Sequence, residues 1–290
     1  MTGPDLGDHA TRALGSTGRR VGVRKERIEM ANERRSVLRR ALRILDTIKD
    51  AGEGLSLSEI SRRSGVPLST THRIVGELHE WGALERDESG EYRIGLRLWE
   101  IAAATPRSGG LRSVALPFMQ DLFETTHRGV HLAIREKDQV IFVERFLSPE
   151  TATDRTRVGG RYELHATAIG LVLLAHAPTE LQEEIVTGPL TGPSWHPPIT
   201  ERELRQKLAD IRRAGYATSV VRNEHLSVAA PIYNHTGQVV AALSLILPLS
   251  EPYGPSLAHL LATARGISRA LGAPQGRIRP AMPSNMWKGG

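Results

Sequence analysis

Apolar residues recur at helical spacing through the first third of the chain, and alternate repeatedly with polar ones in the rest. Leu38, Ala41, Leu42, Leu45 and Ile48 predict one helix face over residues 37–49. Leu57 and Ile60 begin a second helix, and Thr71, Ile74, Val75, Leu78 and Trp81 give a third its core-facing side. Leu84 with Arg86, then Tyr92 with Ile94, flank the turn Asp87-Glu88-Ser89-Gly90 and predict a short hairpin. A short helix over Leu96 to Ala104 and a flexible break, Thr105 to Gly110, follow. Beyond them Leu111, Ala115, Phe118, Met119 and Leu122 predict a helix, Val130 to Phe146 a β-hairpin and Arg155 to Gly159 a strand. Ala166 to His176 reads as a buried helix, and Leu204, Leu208 and Ile211 as the stripe of another. Three strands (Tyr216–Val221, Val228–Tyr233, Gln238–Leu247) precede a last helix over Leu257 to Leu271.

The termini of these elements carry their own chemistry. Ser56 with Glu59, and Thr200 with Glu203, are capping boxes that start helices. Gly65 stops the second helix, and Val66-Pro67 forces a turn before the third. Helix, tight turn, helix and hairpin in that order form a winged helix-turn-helix, whose second helix is shaped for the DNA major groove. Its outward positions are Ser69, Thr70, Arg73 and Glu77, with His72 at the flank and Thr71 half-buried at the front of the helix. Hydroxyls and an arginine near a helix N-terminus suit phosphate and base-edge contacts. Arg62 on the preceding helix, with Arg86 and Arg93 on the wing, complete the candidate DNA-binding set.

The organisation that follows is a basic arm without periodicity over residues 1–35, expected to be disordered, and a winged domain over 36–95. A linker helix and hinge occupy 96–110, an effector-type domain 111–272 and a flexible tail 273–290. The second domain is α+β, with helices over an antiparallel sheet able to enclose a small molecule. The formal charge of +6 favours a polyanionic partner, but the surplus lies in the arm (Arg19, Arg20, Arg24, Lys25) and near the end (Arg277, Arg279, Lys288). The DNA reading therefore rests on motif order. With no cysteine there is no disulfide, thiolate metal site or thiol nucleophile. The longest apolar runs fall short of the roughly 20 residues a membrane helix needs, and no signal-peptide core is present. A cytoplasmic protein without a membrane partner is expected.

The segments ALRILDTI, LSLSEISRRSGVPLSTTHRIVGEL, YRIGLRLWE, LHATAIGLVLLA, GYATS and VAAPIYNHTGQVVAALSL, in this order over residues 36–272, resemble the IclR family of bacterial transcriptional regulators. The resemblance implies a winged helix joined to a GAF-like effector domain, in homodimers or dimers of dimers. It implies control of catabolic or metabolic operons, by repression or activation, through small organic acids. It places the effector carboxylate at His165, Ala166, Thr167, Ala168 and Ile169, with Gly160 preceding and Ser227, Ser244 and Ile246 as further walls. The family's frequent Ser-x-Ser-Gly-Pro is Ser244-Leu245-Ile246-Leu247-Pro248 here, so a hydroxyl is lost. A less polar pocket favours an aromatic or longer acid over glyoxylate or pyruvate.

The competing reading is a metabolic enzyme or sensor protein whose winged helix is a protein-interaction module. Eleven histidines invite it, but HExxH, GxSxG, P-loop and GxGxxG patterns are all missing. His127 and His131 are four apart, yet Gly129-Val130 begins a strand between them. No catalytic residue, metal or cofactor is expected.

Overall fold

The computed structural model describes residues 36–103, 106–149, 156–190, 199–221 and 224–274. The expected arm, most of the tail and part of the hinge lie outside them. The chain divides into two units after residue 105.

In the first unit α1 (Val37–Ala51), α2 (Leu57–Ser64) and α3 (Leu68–Glu80) precede the hairpin β1 (Leu84–Arg86) and β2 (Tyr92–Ile94), and α4 (Leu96–Ala103) ends it. The Ser56 capping box forms in full, and Gly65 ends α2 at φ 66°, a left-handed conformation that a side chain resists. Ile44, Ile48, Leu55, Ile60, Val66, Ile74, Val75 and Leu84 make the core. Two expectations fail here. Leu38 and Leu42 are exposed, because the buried face of α1 runs through Ile44 and Ile48 instead. Trp81 is 44% exposed. It follows the last turn of α3, and the Arg97 guanidinium stacks on its ring at 4.8 Å.

The second unit opens with α5 (Pro106–Thr126), so the helix starts at Pro106, upstream of the expected Leu111. Proline suits a first helical turn, where its missing N–H costs nothing. Next come β3 (Gly129–Glu136), β4 (Gln139–Phe146), β5 (Arg161–Glu163), α6 (Ala168–Ala175), α7 (Thr179–Thr187) and α8 (Glu201–Ala214). The chain then forms β6 (Ala217–Val221), β7 (His225–Tyr233), β8 (Val239–Pro248) and α9 (Gly254–Ala270). The strands form one antiparallel sheet in the order β5-β4-β3-β8-β7-β6. The strand expected over 155–159 lies at Arg161–Glu163; Thr156 to Gly160 forms a turn tied to Phe142 by backbone hydrogen bonds. The helix α7 had no counterpart in the sequence reading.

The sheet has two apolar faces. Val130, Leu132, Val228, Ala230, Leu243 and Leu245 pack with α5 and α9. Ala133, Phe142, Ala217, Ala229 and Ala242 pack with α6, which also touches α8. This alternation along each strand assigns every neighbouring side chain to one face.

Candidate DNA-reading face and effector pocket

In α3 the exposed positions are Leu68, Ser69, His72, Arg73, Gly76, Glu77, His79 and Glu80, with Thr70 partly exposed. Arg73 Nη1 pairs with Glu77 Oε1 at 2.6 Å, one turn on, and both side chains are more than half exposed. Thr71 takes the core-facing place that its spacing predicts and is fully buried, so it leaves the candidate DNA-binding set. Its hydroxyl donates to Val66 O (3.1 Å) and Pro67 O (3.2 Å), closing the turn between α2 and α3, so it cannot touch DNA. Ser61 Oγ donates to the same Val66 carbonyl at 2.7 Å. Arg62 is exposed on α2.

The wing is held to α3 from below. His79 Nδ1 lies 3.0 Å from Leu84 O, its ring meets Tyr92 edge-on, and Leu55 bridges to Tyr92. Arg86 donates to Gly90 O and lies over the Tyr92 ring. Arg93 pairs with Asp87 at 3.1 Å. Hydrogen bonds from Ser89 and the Glu91 amide, with Arg93 nearby, hold the Asp87 carboxyl below its usual range. Both wing arginines thus stay at the surface with defined directions.

In the second unit α6 is buried at every position. Thr167 caps it by accepting from Gly170 N at 2.9 Å. The helix therefore starts at Ala168, later than expected. Ala166 lies in the buried turn before it, and Gly160 is separated from it by β5. The Ala168 and Ile169 amides are first-turn donors with no partner inside the helix, at its positive dipole end. Gly170 allows that close fit: a Cβ there would stand 2.3 Å from Leu164 O.

At the other end His176 Nδ1 lies 2.9 Å from Val172 O, and its ring meets Tyr233 edge-on. Burial, opposed by the Val172 hydrogen bond, holds its imidazole below the ordinary value. This pairing places the C-terminal end of α6 beside Tyr233. The helical rise of about 1.5 Å per residue makes about 12 Å from His176 back to Ala168. Laid along β7 at about 3.3 Å per strand residue, that length spans from Tyr233 back to about Ala229.

Beneath that level the apolar face turns polar. Ser219, Ser227 and Ser244 are 8%, 6% and 1% exposed, and all lie on the face covered by α6. Register supports this: Ser219 opposes Ser227, Ser227 opposes Ile246, and Ser244 opposes both Ala229 and His131. Among the described residues, no group accepts from or donates to the Ser227 or Ser244 hydroxyls. Both hydroxyls are thereby left available to a molecule held on this face. Ala168, Ile169 and Ile246 are buried as well, Ile246 opposite Ser227, and His165 is 4% exposed just before the helix. Gly160 stays in the turn before β5, where a Cβ would stand 2.8 Å from Arg157 O.

Sequence reasoning missed Ser219 and His131. The signal was present in Ser219, a polar residue at an inward position of an alternating strand, and in His131, likewise inward between Val130 and Leu132. A separate groove of about 400 Å³ lies between α7 and α8. Its charged groups answer one another: Arg205 pairs with Glu183 and Glu201, and Arg212 donates to Gln182. Among the described residues no group of three or more His, Asp or Glu is gathered as a metal site, and no helix is long and apolar enough to cross a membrane.

Comparison with known proteins agrees with this architecture. The IclR helix-turn-helix domain model matches residues 37–88, and the model of the bacterial transcriptional regulator IclR C-terminal region matches residues 104–272. The chain is 32% identical over 243 residues to the HTH-type transcriptional regulator XynR of Escherichia coli (strain K12), covering 81% of this chain and 96% of that one. It is 31% identical over 266 residues to the HTH-type transcriptional repressor AllR of the same strain, covering 88% and 97%. Among solved structures it is similar to an IclR homolog complexed with 4-hydroxybenzoate from Microbacterium hydrocarbonoxydans, with TM-score 0.75, 38% identity, and 81% and 99% coverage.

Proposed function

Given that this chain belongs to the IclR family of bacterial transcriptional regulators, we propose that it is a cytoplasmic, ligand-responsive regulator of a catabolic or metabolic operon, with a small organic acid of apolar or aromatic body as effector. The observation that carries the effector reading is a pair of buried serines, Ser227 and Ser244, on the sheet face covered by α6, whose hydroxyls make no hydrogen bond to the described residues. The carboxylate accepts from the Ala168 and Ile169 amides, where helix dipole and free donors favour an anion without a cationic side chain. The serine hydroxyls supply its remaining hydrogen bonds, and Ile169 and Ile246 wall the apolar body. The 4-hydroxybenzoate held by the Microbacterium homolog supports an aromatic acid.

On the DNA side α3 enters the major groove with Ser69, Thr70, His72 and Arg73 foremost, while Arg62, Arg86 and Arg93 meet phosphates. Two copies read two half-sites. Their contact uses the apolar residues that α1 and α4 leave exposed, Leu38, Leu42, Leu96 and Trp99.

A gel shift with the DNA upstream of the gene, with and without aromatic carboxylates, tests the whole reading. Arg73→Ala should cost about 1–3 kcal/mol and relax preference at one operator position if Arg73 reads a base edge. Uniform weakening across sequences would assign it to phosphate, and unchanged binding would remove it from the interface. In thermal-shift assays aromatic carboxylates should stabilise the chain and their amides should not. Equal stabilisation by both would remove the helix-terminus anion site.

A further inference from the structure

We infer that His131 is a specificity residue of the effector pocket, which hydrogen-bonds a polar substituent, a hydroxyl above all, on the end of an aromatic acid opposite its carboxylate. The inference rests on the pocket reading above and adds the ligand's second polar end.

His131 is 1% exposed in the middle of β3. Its neighbours Val130 and Leu132 belong to the apolar layer under α5 and α9. Its own side chain therefore enters the α6 side, where it stands opposite Ser244 in the β3–β8 register. The imidazole meets the Phe142 ring edge-on, with centroids 5.5 Å apart at 88°. The next inward position on the strand is Ala133. A position that only had to fill space would carry an aliphatic residue, since burying a polar ring carries a desolvation cost.

The dimensions fit a short aromatic molecule lying across the strands. Ala229 on β7, Ser244 on β8 and His131 on β3 stand opposite one another in a single row across the sheet. Two strand spacings are about 9.5 Å. One benzene ring with a polar group at each end, and a hydrogen bond beyond each, fills that span. With the carboxylate at the α6 N-terminus near the level of Ala229, the ring passes over Ser244 and its far end meets the imidazole. A neutral imidazole has one donor and one acceptor nitrogen, so it can serve a phenolic hydroxyl in either sense. The Phe142 edge borders the same place and favours a ring over an aliphatic chain.

The test uses the full chain and three probes, benzoate, 4-methylbenzoate and 4-hydroxybenzoate, in calorimetric titration and thermal shift. A site built to bond a hydroxyl strongly rejects the analogue that lacks it, so the wild type should bind 4-hydroxybenzoate at least about tenfold more tightly than its methyl isostere. His131→Phe should abolish or invert that preference, and His131→Gln, which keeps a donor and an acceptor, should retain part of it. His131→Leu replaces the Phe variant if that fails to fold. Equal binding of the hydroxyl and methyl acids by the wild type overturns the inference whatever the variants do. So does a His131→Phe protein that keeps the wild-type preference. If the acids bind without a hydroxyl preference, the pocket stands and only His131's role falls. If none of the three binds, the aromatic-acid reading falls with it.

Discussion

Thr71 and Ser244 are both buried hydroxyls, at 0% and 1% exposure, and they end in opposite situations. In the DNA-reading unit the Thr71 hydroxyl is committed to two backbone carbonyls of the turn between α2 and α3. In the second unit Ser244, with Ser227 beside it, finds no partner among the described residues. The first unit satisfies its interior by itself and presents its chemistry outward, on the exposed side of α3 and the wing. The second keeps polar groups inside, under a wholly buried helix. A buried hydroxyl that is paired is architecture; one that is unpaired is left available to a ligand's polar atoms.

This contrast can be broken by substitution. The largest effect should come from Gly170→Ala, which forces a Cβ to 2.3 Å from Leu164 O. Calorimetry should show the second unit destabilised by about 3 kcal/mol, as overpacking a tight site does; a smaller loss would mean the α6 start can relax. Thr71→Val should cost the first unit about 1 kcal/mol, the net worth of one hydrogen bond, because Val66 O keeps its bond from Ser61 Oγ and Pro67 O its bond from the residue 71 amide. Ser244→Ala, chemically the same deletion, should change ligand-free stability by no more than about 0.5 kcal/mol while reducing the thermal shift given by aromatic carboxylates. If the two hydroxyl deletions destabilise alike in urea melts, Ser244 has a protein partner and the contrast collapses. Gly76→Ala should add about 1 kcal/mol to the first unit, since an exposed mid-helix glycine is costly and its Cβ would meet nothing within 4 Å. Whether operator affinity also changes measures how closely the DNA approaches α3 at that point.

Much of this was legible because it is local. The Ser56-Glu59 and Thr200-Glu203 boxes, the Gly-Val-Pro turn, the wing and the Leu204-Leu208-Ile211 stripe each depend on residues a few positions apart. Where periodicity misled, a neighbour decided. Leu38 and Leu42 fit a helical stripe as well as Ile44 does, but only α2 and α3 select which side is covered. Trp81 keeps helical spacing with Leu78, yet lies just past the end of α3, where Arg97 covers its ring from outside. A short α7 without a strong stripe left no pattern to read.

The pocket shows the division most plainly. The chain by itself determined the alternation that turns Ser219, Ser227, Ser244 and His131 inward, and the cap that starts α6 at Ala168. These follow from the two-residue period of a strand and from the Thr167 hydroxyl beside the Gly170 amide. Only the tertiary structure decided that β3, β8 and β7 are neighbours, although β3 and β8 are far apart in sequence. Only tertiary packing laid α6 over the face of the sheet that carries those serines, with His176 against Tyr233 at its C-terminal end. Strand order and helix direction are fixed by long-range burial, which no short window of sequence contains, and they bring the separate polar residues into one place.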